Sequence, residues 1–161
     1  MSIERDIALL RSVATFDMLN SEALRLLAGD AQAETLARGE TLFRMGETAD
    51  CAYVVASGHV RLVDDRKADA PRLLKEVGPG TLIGETALIV PTPRPVTAVA
   101  ADEVQLLKIP RTAFVAMLER FPDATAKMRR AIAKRLEDTI RALDTVRLKL
   151  EDQRARQRRR R

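Results

Sequence analysis

Aromatic residues are scarce in this chain of 161 residues, which contains four Phe, one Tyr and no Trp. Proteins that bind single-stranded nucleic acid stack the bases on aromatic side chains, so this composition argues against that class. Hydrophobic residues still make up 46% of the chain, which is enough for a core built from Leu, Val, Ile and Ala. We therefore expect one folded domain with, at most, an appendage.

Cysteine and histidine occur once each, as Cys51 and His59. One cysteine cannot form an internal disulfide, and iron–sulfur clusters need about four thiolates. One histidine, which we expect in an exposed turn, cannot supply the several imidazoles of a cupin-type metal site. It also lies outside the motif described below, which leaves no Ser–His–acid arrangement to propose. We predict that the protein binds no metal and is not an enzyme.

Long apolar runs are also missing. No segment approaches the roughly 18 consecutive apolar residues that a membrane-spanning helix requires. The first residues do not combine a basic region, an apolar region and a cleavage site. We expect a cytoplasmic protein with no membrane partner.

The net charge of +5 is concentrated at the C-terminus. Residues 154–161, RARQRRRR, contain six of the 28 Lys and Arg and no acidic residue, which leaves 22 basic against 23 acidic residues in 1–153. A basic face for nucleic acid on the folded body is therefore not supported. The tail has three interpretations: a frayed helix end, an electrostatic arm or a docking element. We favour the first, because positive charge suits the C-terminal end of a helix.

The order of patterns along the chain indicates helices, then strands, then helices. The N-terminal apolar spacing predicts two short helices, the second capped by Asn20 or Ser21. Between Ala33 and Pro110, short extended segments such as CAYVVASG alternate with glycine turns, which is typical of a small sandwich or β-roll. Residues 122–153 contain no glycine and predict one long helix.

The predicted long helix carries an apolar seam. Leu136, Leu143 and Leu150 repeat every seven residues, with Ile140 and Val146 beside them. Such a seam favours a partner helix and hence a homodimer. The alternative is that the stripe packs on the β-domain of its own chain. We expect that only for its first half, because a helix rising about 1.5 Å per residue would extend past so small a domain.

The stretch IGETALIVPTPRPVT, residues 83–97, contains the strongest candidate binding site. Gly84 permits close backbone approach, and residues 86–89 can form one helical turn that the following prolines end. The N–H groups of such a turn favour an anion. Arg94, held between two prolines, adds a planar cation suited to phosphate oxygens.

Glu85 presents a carboxylate in the same loop, and carboxylates accept hydrogen bonds from hydroxyls such as a ribose 2′-OH. A phosphate and a ribose hydroxyl recognised within one loop imply a nucleotide. The alternative is an internal ion pair between Glu85 and Arg94 that only braces the loop. The residues alone leave both interpretations open.

The segment GETLFRMGETADCAYVVASGHVRL, followed by IGETALIVPTPRPVT, resembles the cyclic-nucleotide-binding domain of the catabolite activator protein and of the regulatory subunit of cAMP-dependent protein kinase. The resemblance extends over nearly the whole chain, and its second motif is the phosphate-binding cassette of that family. It implies an α+β fold: an eight-stranded antiparallel β-roll, jelly-roll-like, with N-terminal helices, a cassette helix and a long C-terminal helix. We place the β-roll with its flanking helices in residues 1–121, the dimerisation helix in 122–153 and an arginine-rich tail in 154–161.

The resemblance also implies roles for individual residues. Arg94 holds the cyclic phosphate, and Glu85 binds the ribose 2′-OH. Gly84, Thr86 and Ala87 line the cassette and offer backbone N–H groups. The remaining implied contacts are Leu62 and Leu74 as apolar walls, Arg135 near the ribose-binding acid and Thr139 at the purine.

Two residues after the cassette arginine depart from the family pattern. Pro95 stands where the family has Ala, Ser or Thr, so it offers the phosphate no N–H and no hydroxyl of the kind associated with cGMP. Val96 stands where the family usually has alanine, and its larger side chain narrows the space nearby. The resemblance therefore favours cAMP over cGMP.

We predict a regulatory sensor that binds cAMP or cGMP, forms a homodimer through its last helix and signals through an unknown partner protein. Too few residues follow that helix for the helix-turn-helix domain of the family's transcription factors, so we expect a stand-alone domain. In the family the cassette and the long helix both contact the ligand, so that filling the pocket shifts the helix. Two alternatives remain: a degenerate dimeric module that binds no nucleotide, which Pro95 favours, and a nucleic-acid-associated regulator that acts through its basic tail.

Overall fold

The computed structural model describes residues 2–67 and 69–159, except for the side chains of residues 132, 135, 136 and 139 within the last helix. The chain forms two compact units, with the boundary between Pro122 and Asp123. The first unit contains the strands and the shorter helices. The second unit is a single helix.

Two capped helices precede the strands, as the sequence predicts. Helix α1 spans Ile3–Ser12, a 3₁₀ turn spans Ala14–Phe16, and helix α2 spans Ser21–Asp30. The side chain of Asn20 accepts a hydrogen bond from the N–H of Ala23 at 2.8 Å. This bond satisfies one of the free donors at the start of α2 and confirms Asn20 as its cap.

Ten strands occur in the described residues. Their bounds are Gln32–Leu36 (β1), Thr41–Phe43 (β2), Thr48–Ala49 (β3), Cys51–Ser57 (β4), Val60–Asp64 (β5), Arg72–Val77 (β6), Leu82–Ile83 (β7), Thr92–Pro93 (β8), Thr97–Ala100 (β9) and Val104–Pro110 (β10). One antiparallel sheet has the order β1-β10-β4-β7, a second has the order β2-β9-β5-β6, and β3 pairs with β8 alone. The fold class is confirmed: the two larger sheets hold the eight strands of the expected β-roll, and the short β3–β8 ladder adds two.

The hydrophobic core lies between the two larger sheets. Inward-facing side chains from both sheets form one buried cluster, which includes Val55 and Leu106 from the first sheet and Val60 and Ala98 from the second. Strand β4 is buried along Cys51–Val55 on both of its faces. Because α1 and the turn Glu85–Leu88 also contact this strand, it appears in the sequence as a continuous apolar run rather than as an alternating one.

Two helices follow the strands. Helix α3 spans Arg111–Arg120, and its Phe114 ring lies 6.2 Å from that of Phe16 in the N-terminal turn. Helix α4 spans Pro122–Arg159, so the first six residues of the predicted arginine tail continue the helix. The Ala, Gln and Arg residues of this segment are good helix formers.

His59 joins two neighbouring turns through Asp102. The backbone N–H of His59 donates to Oδ1 of Asp102 at 2.7 Å, and the imidazole Nδ1 lies 2.9 Å from Oδ2. The hydrogen bond between the two side chains raises the pKa of His59 above 6.5 and lowers the pKa of Asp102 below 3.8. Both side chains are about half exposed, as the sequence predicts for the histidine.

These shifts define a pH window for the contact. The contribution of His59 to folding is fully present below pH 6.5 and is lost as the pH rises through the folded pKa of His59. The contribution of Asp102 is present above pH 3.8 and is lost as the pH falls through the folded pKa of Asp102.

We expect NMR titration of the His59 ring protons to give a pKa above 6.5, and the Asp102→Asn variant to return that pKa to the ordinary range. Asp64→Asn is the matched control. It removes an acid that pairs with Arg66, so the pKa of His59 should not change. An unchanged His59 pKa in Asp102→Asn would contradict the contact.

Candidate functional site

The turn that follows β7 begins at a glycine with left-handed backbone geometry. Gly84 has φ 80° and ψ 34°, and a 3₁₀ turn spans Glu85–Leu88. The N–H of Ala87 donates to the carbonyl of Gly84 at 3.1 Å. A side chain at position 84 would be strained by this backbone and would also meet Nη1 of Arg94. Glycine is therefore required here for two separate reasons.

Two backbone hydrogen bonds attach Arg94 to the turn between β2 and β3. Its N–H donates to the carbonyl of Glu47 at 2.8 Å, and its carbonyl accepts from the N–H of Gly46 at 2.9 Å. The neighbouring β3–β8 ladder pairs Thr48 with Pro93. These contacts hold the base of the arginine side chain so that it extends into the unit rather than into solvent.

The Arg94 side chain is only 5% exposed. Its guanidinium carbon lies 4.2 Å from the centroid of the Phe43 ring and 5.7 Å from that of Tyr53. The two rings stack on each other with centroids 6.1 Å apart. Nη2 donates to the carbonyl of Cys51 at 2.9 Å and lies 3.3 Å from its sulfur. Aromatic faces and one carbonyl thus hold a permanent cation in a buried position.

Nη1 of Arg94 is buried and has no hydrogen-bond partner among the described residues. A buried ionised group without a counter-charge is costly, because it has lost its hydration and gained no ion pair. Arg94 does not pair with Glu85: its side-chain hydrogen bonds go to Cys51. The arrangement is therefore poised to accept an anion, which would supply both the missing acceptor and the missing charge.

Glu85 is held from the N-terminal end of the chain. The hydroxyl of Thr15, in the turn after α1, donates to Oε1 of Glu85 at 3.1 Å. Thr15 is 5% exposed, and Glu85 is half-buried. The carboxylate is oriented by a buried hydroxyl, and it lies beside Gly84 in the turn that contacts Arg94.

The other predicted site residues lie in several environments. Ala87 is buried, whereas Thr86 and Pro95 are exposed. Leu62 and Val96 are partly buried and pack against the core between the sheets. The remaining predictions are Leu74, which is 48% exposed, and Arg135 and Thr139, whose backbone lies in α4 and whose side chains are outside the described part of the structure.

Leu74 lies in β6, an edge strand in which residues 72–76 are all exposed and only Val77 is buried. Leu62 pairs with Lys75 and Val63 pairs with Leu73, so that Leu74 has no partner of its own in β5. An extra residue of this kind bends the strand and changes the direction of the side chains near it. The structure brings Gly84 and Arg94 together directly, whereas the role of Leu74 as a pocket wall stays a prediction.

Four residues around the site were not predicted from the sequence: Phe43, Tyr53, Cys51 and Thr15. Burial, together with contacts to Cys51, raises the pKa of Tyr53 well above its ordinary value, so that its hydroxyl stays neutral beside the cation. One signal could have identified the rings. In a chain with only five Phe and Tyr residues, two of them lie in the glycine-flanked segments that precede the cassette.

The fold and the site define a class of protein: a small β-roll domain with a buried arginine available to an anion. Comparison with known proteins identifies the family. The sequence pattern described as "Cyclic nucleotide-binding domain" matches residues 33–121, which is more than half of the chain. The chain belongs to this family, and the resemblance inferred from its motifs is confirmed.

Three relatives illustrate the similarity. The cyclic AMP receptor protein of Thermus thermophilus is 31% identical over 131 residues, 81% of this chain and 61% of that protein. The lysophospholipase NTE1 of Chaetomium globosum is 34% identical over 102 residues, 63% of this chain and 7% of that protein. The crystal structure of the N-terminal domain of a transcriptional regulator from Streptomyces coelicolor has 36% identity and a TM-score of 0.77, covering 84% of this chain and 94% of that one.

The chain thus spans less than two thirds of both curated relatives, whose other regions have no counterpart in the match. Within the described residues, no group of three or more His, Cys, Asp or Glu side chains is placed to hold a metal ion. The helices in the same part of the chain include none with the length and apolarity needed to cross a membrane.

Proposed function

We propose that this protein is a sensor that binds a cyclic nucleotide and prefers cAMP to cGMP. The observation that carries the proposal is the buried guanidinium of Arg94, whose Nη1 has no partner among the described residues. A cyclic phosphate has one negative charge and several acceptor oxygens, so it matches what this group lacks. The family of the chain supports the same ligand class.

Glu85 adds the contact to the sugar. A carboxylate is an acceptor-only group, so it discriminates in favour of a hydroxyl donor such as the ribose 2′-OH. The hydrogen bond from Thr15 uses one acceptor position of Oε1 of Glu85. It orients the carboxylate before the ligand binds. Less conformational entropy is then lost on binding.

Pro95 supports the preference for cAMP. It follows the arginine directly and has neither an N–H nor a side-chain hydroxyl, so it cannot donate to a phosphate or to a guanine. The relative from Thermus thermophilus is named a cyclic AMP receptor, which points in the same direction. The proposed function is binding and not catalysis, and its output passes through a partner protein.

Isothermal titration with cAMP, cGMP and 2′-deoxy-cAMP tests the proposal. We expect cAMP to bind most tightly and the deoxy analogue to bind about tenfold more weakly, because it lacks the hydroxyl that Glu85 accepts. Glu85→Ala should weaken cAMP binding and leave the deoxy analogue unaffected. The control Glu76→Ala removes an exposed acid that pairs with Arg61 on the second sheet and should change neither affinity. No heat with any of the three compounds would favour the degenerate interaction module instead.

We also propose that α4 forms a homodimer. Four apolar residues of its predicted seam are 49–64% exposed: Ile140, Leu143, Val146 and Leu150. Their spacing of three, four and seven residues places them on one stripe of the helix, and a coiled coil would bury such a stripe.

Mutation of the seam should separate the protomers. We expect the double variant Leu143→Asp, Leu150→Asp to sediment as a monomer in analytical ultracentrifugation, while the wild type sediments as a dimer. Leu148 is equally exposed, at 64%, but does not share the seven-residue spacing, so Leu148→Asp is the matched control and should remain dimeric. A wild-type monomer at all concentrations would refute this part of the proposal.

A further inference from the structure

Arg111 connects three segments around the candidate site. It is the first residue of α3, directly after β10, and its side chain is half-buried. Nε donates to the carbonyl of Ala87 at 2.7 Å, and Nη2 donates to the carbonyl of Ala49 at 2.5 Å. Its backbone N–H donates to the carbonyl of Asp50 at 2.8 Å. One residue thus satisfies three carbonyls from two separate loops.

Both loops belong to the surroundings of Arg94. Ala87 lies in the turn that begins at Gly84, where an added Cβ would meet Nη1 of Arg94. Ala49 and Asp50 lead directly into Cys51, whose carbonyl accepts the hydrogen bond from Nη2 of Arg94. A shift of either loop would change the position of the guanidinium or the space beside it.

The position of Arg111 is unfavourable for the helix that begins there. A cation at the N-terminus of a helix opposes the helix dipole. The first turn of α3 has no acidic residue to compensate, and Pro110 gives no side-chain cap. The hydrogen bonds to the two loops, rather than the stability of α3, therefore account for an arginine at this place.

We propose that Arg111 is a positioning residue for the anion site: it holds the Ala87 turn and the Ala49–Cys51 segment in the arrangement in which Arg94 binds the cyclic phosphate. This inference rests on the proposed function. Arg111 acts through the two loops and need not touch the ligand. Its planar fork spans two carbonyls at once, which a lysine ammonium on a flexible stem cannot reproduce.

The variants Arg111→Met and Arg111→Lys separate positioning from folding. Arg111→Met keeps an unbranched apolar stem and removes all side-chain donors, and we expect roughly tenfold weaker cAMP binding, since charge-assisted hydrogen bonds that fix the site are lost. Arg111→Lys keeps the charge in a single ammonium group on a flexible stem and should fall between the wild type and Arg111→Met. The control Arg61→Met removes an exposed arginine of β5 and should bind as the wild type does.

Two measurements distinguish this inference from the proposed function. In the nucleotide-free protein, ¹H–¹⁵N spectra of Arg111→Met should show shifted amides for residues 84–88 and 49–51, while the amides of β5 and β6 stay in place. Titration with cAMP then measures the affinity.

Arg111 is not a positioning residue if those amides are unchanged, or if the wild type binds cAMP and Arg111→Met binds it equally well. A wild type that binds neither nucleotide refutes the proposed function, and the spectra of the free protein then decide alone whether Arg111 orders the two loops.

Discussion

Replacing Arg94 by methionine should abolish cyclic-nucleotide binding without destabilising the free protein. Two or more charge-assisted hydrogen bonds to the phosphate are lost, which corresponds to about a 100-fold or larger decrease in affinity. In the free protein the same change removes a buried cation whose Nη1 has no partner among the described residues. Methionine fills a similar volume against Phe43 and Tyr53 and carries no charge, so the melting temperature should equal or exceed that of the wild type.

Calorimetry provides both numbers, since titration gives the affinity and scanning gives the melting temperature. Arg94→Lys is the informative companion variant: it keeps the charge and loses the planar fork, so it should bind weakly but detectably. If Arg94→Met were strongly destabilised, the arginine would be a structural element of the core rather than a residue kept for a ligand.

The second large effect is expected at Gly84. In Gly84→Ala the new Cβ meets Nη1 of Arg94 and occupies a backbone with φ 80°. The left-handed backbone alone costs about 1–2 kcal/mol of folding free energy. The contact in addition displaces the guanidinium, and because hydrogen-bond strength falls steeply with misalignment, we expect roughly 100-fold weaker cAMP binding.

Gly39 provides the matched control. It has nearly the same backbone, with φ 86°, but a Cβ there would meet no atom within 4 Å. Gly39→Ala should therefore show a similar loss in the free energy of unfolding, measured by urea denaturation, with unchanged cAMP affinity. Equal affinities for the two alanine variants would mean that Gly84 serves only the conformation of the turn.

Much of the fold could be predicted because its signals are local. The cap at Asn20, the glycine-separated strands and the long helix each depend on residues that are close in sequence. The candidate loop was also accessible, since Gly84 and Arg94 lie only ten positions apart in one motif. Strand bounds were less accessible, because an irregularity such as the one at Leu74 depends on the register of two strands rather than on either one.

The residues that complete the site are distant in sequence, and this explains why they were missed. Thr15 reaches Glu85 across 70 positions, and Arg111 reaches Ala49 across 62 positions. Nothing in the local pattern of a threonine or of an arginine after a strand indicates which carbonyl or carboxylate it will meet. Such partners are fixed only when the sheets and helices pack together.

The scarcity of aromatic residues also makes the protein convenient for optical experiments. Tyr53 is the only tyrosine, and the chain contains no tryptophan, so its intrinsic ultraviolet fluorescence comes almost entirely from one ring. That ring lies 5.7 Å from the guanidinium carbon of Arg94. An unlabelled sample therefore carries its own fluorophore beside Arg94, free of background from other tyrosine or tryptophan side chains.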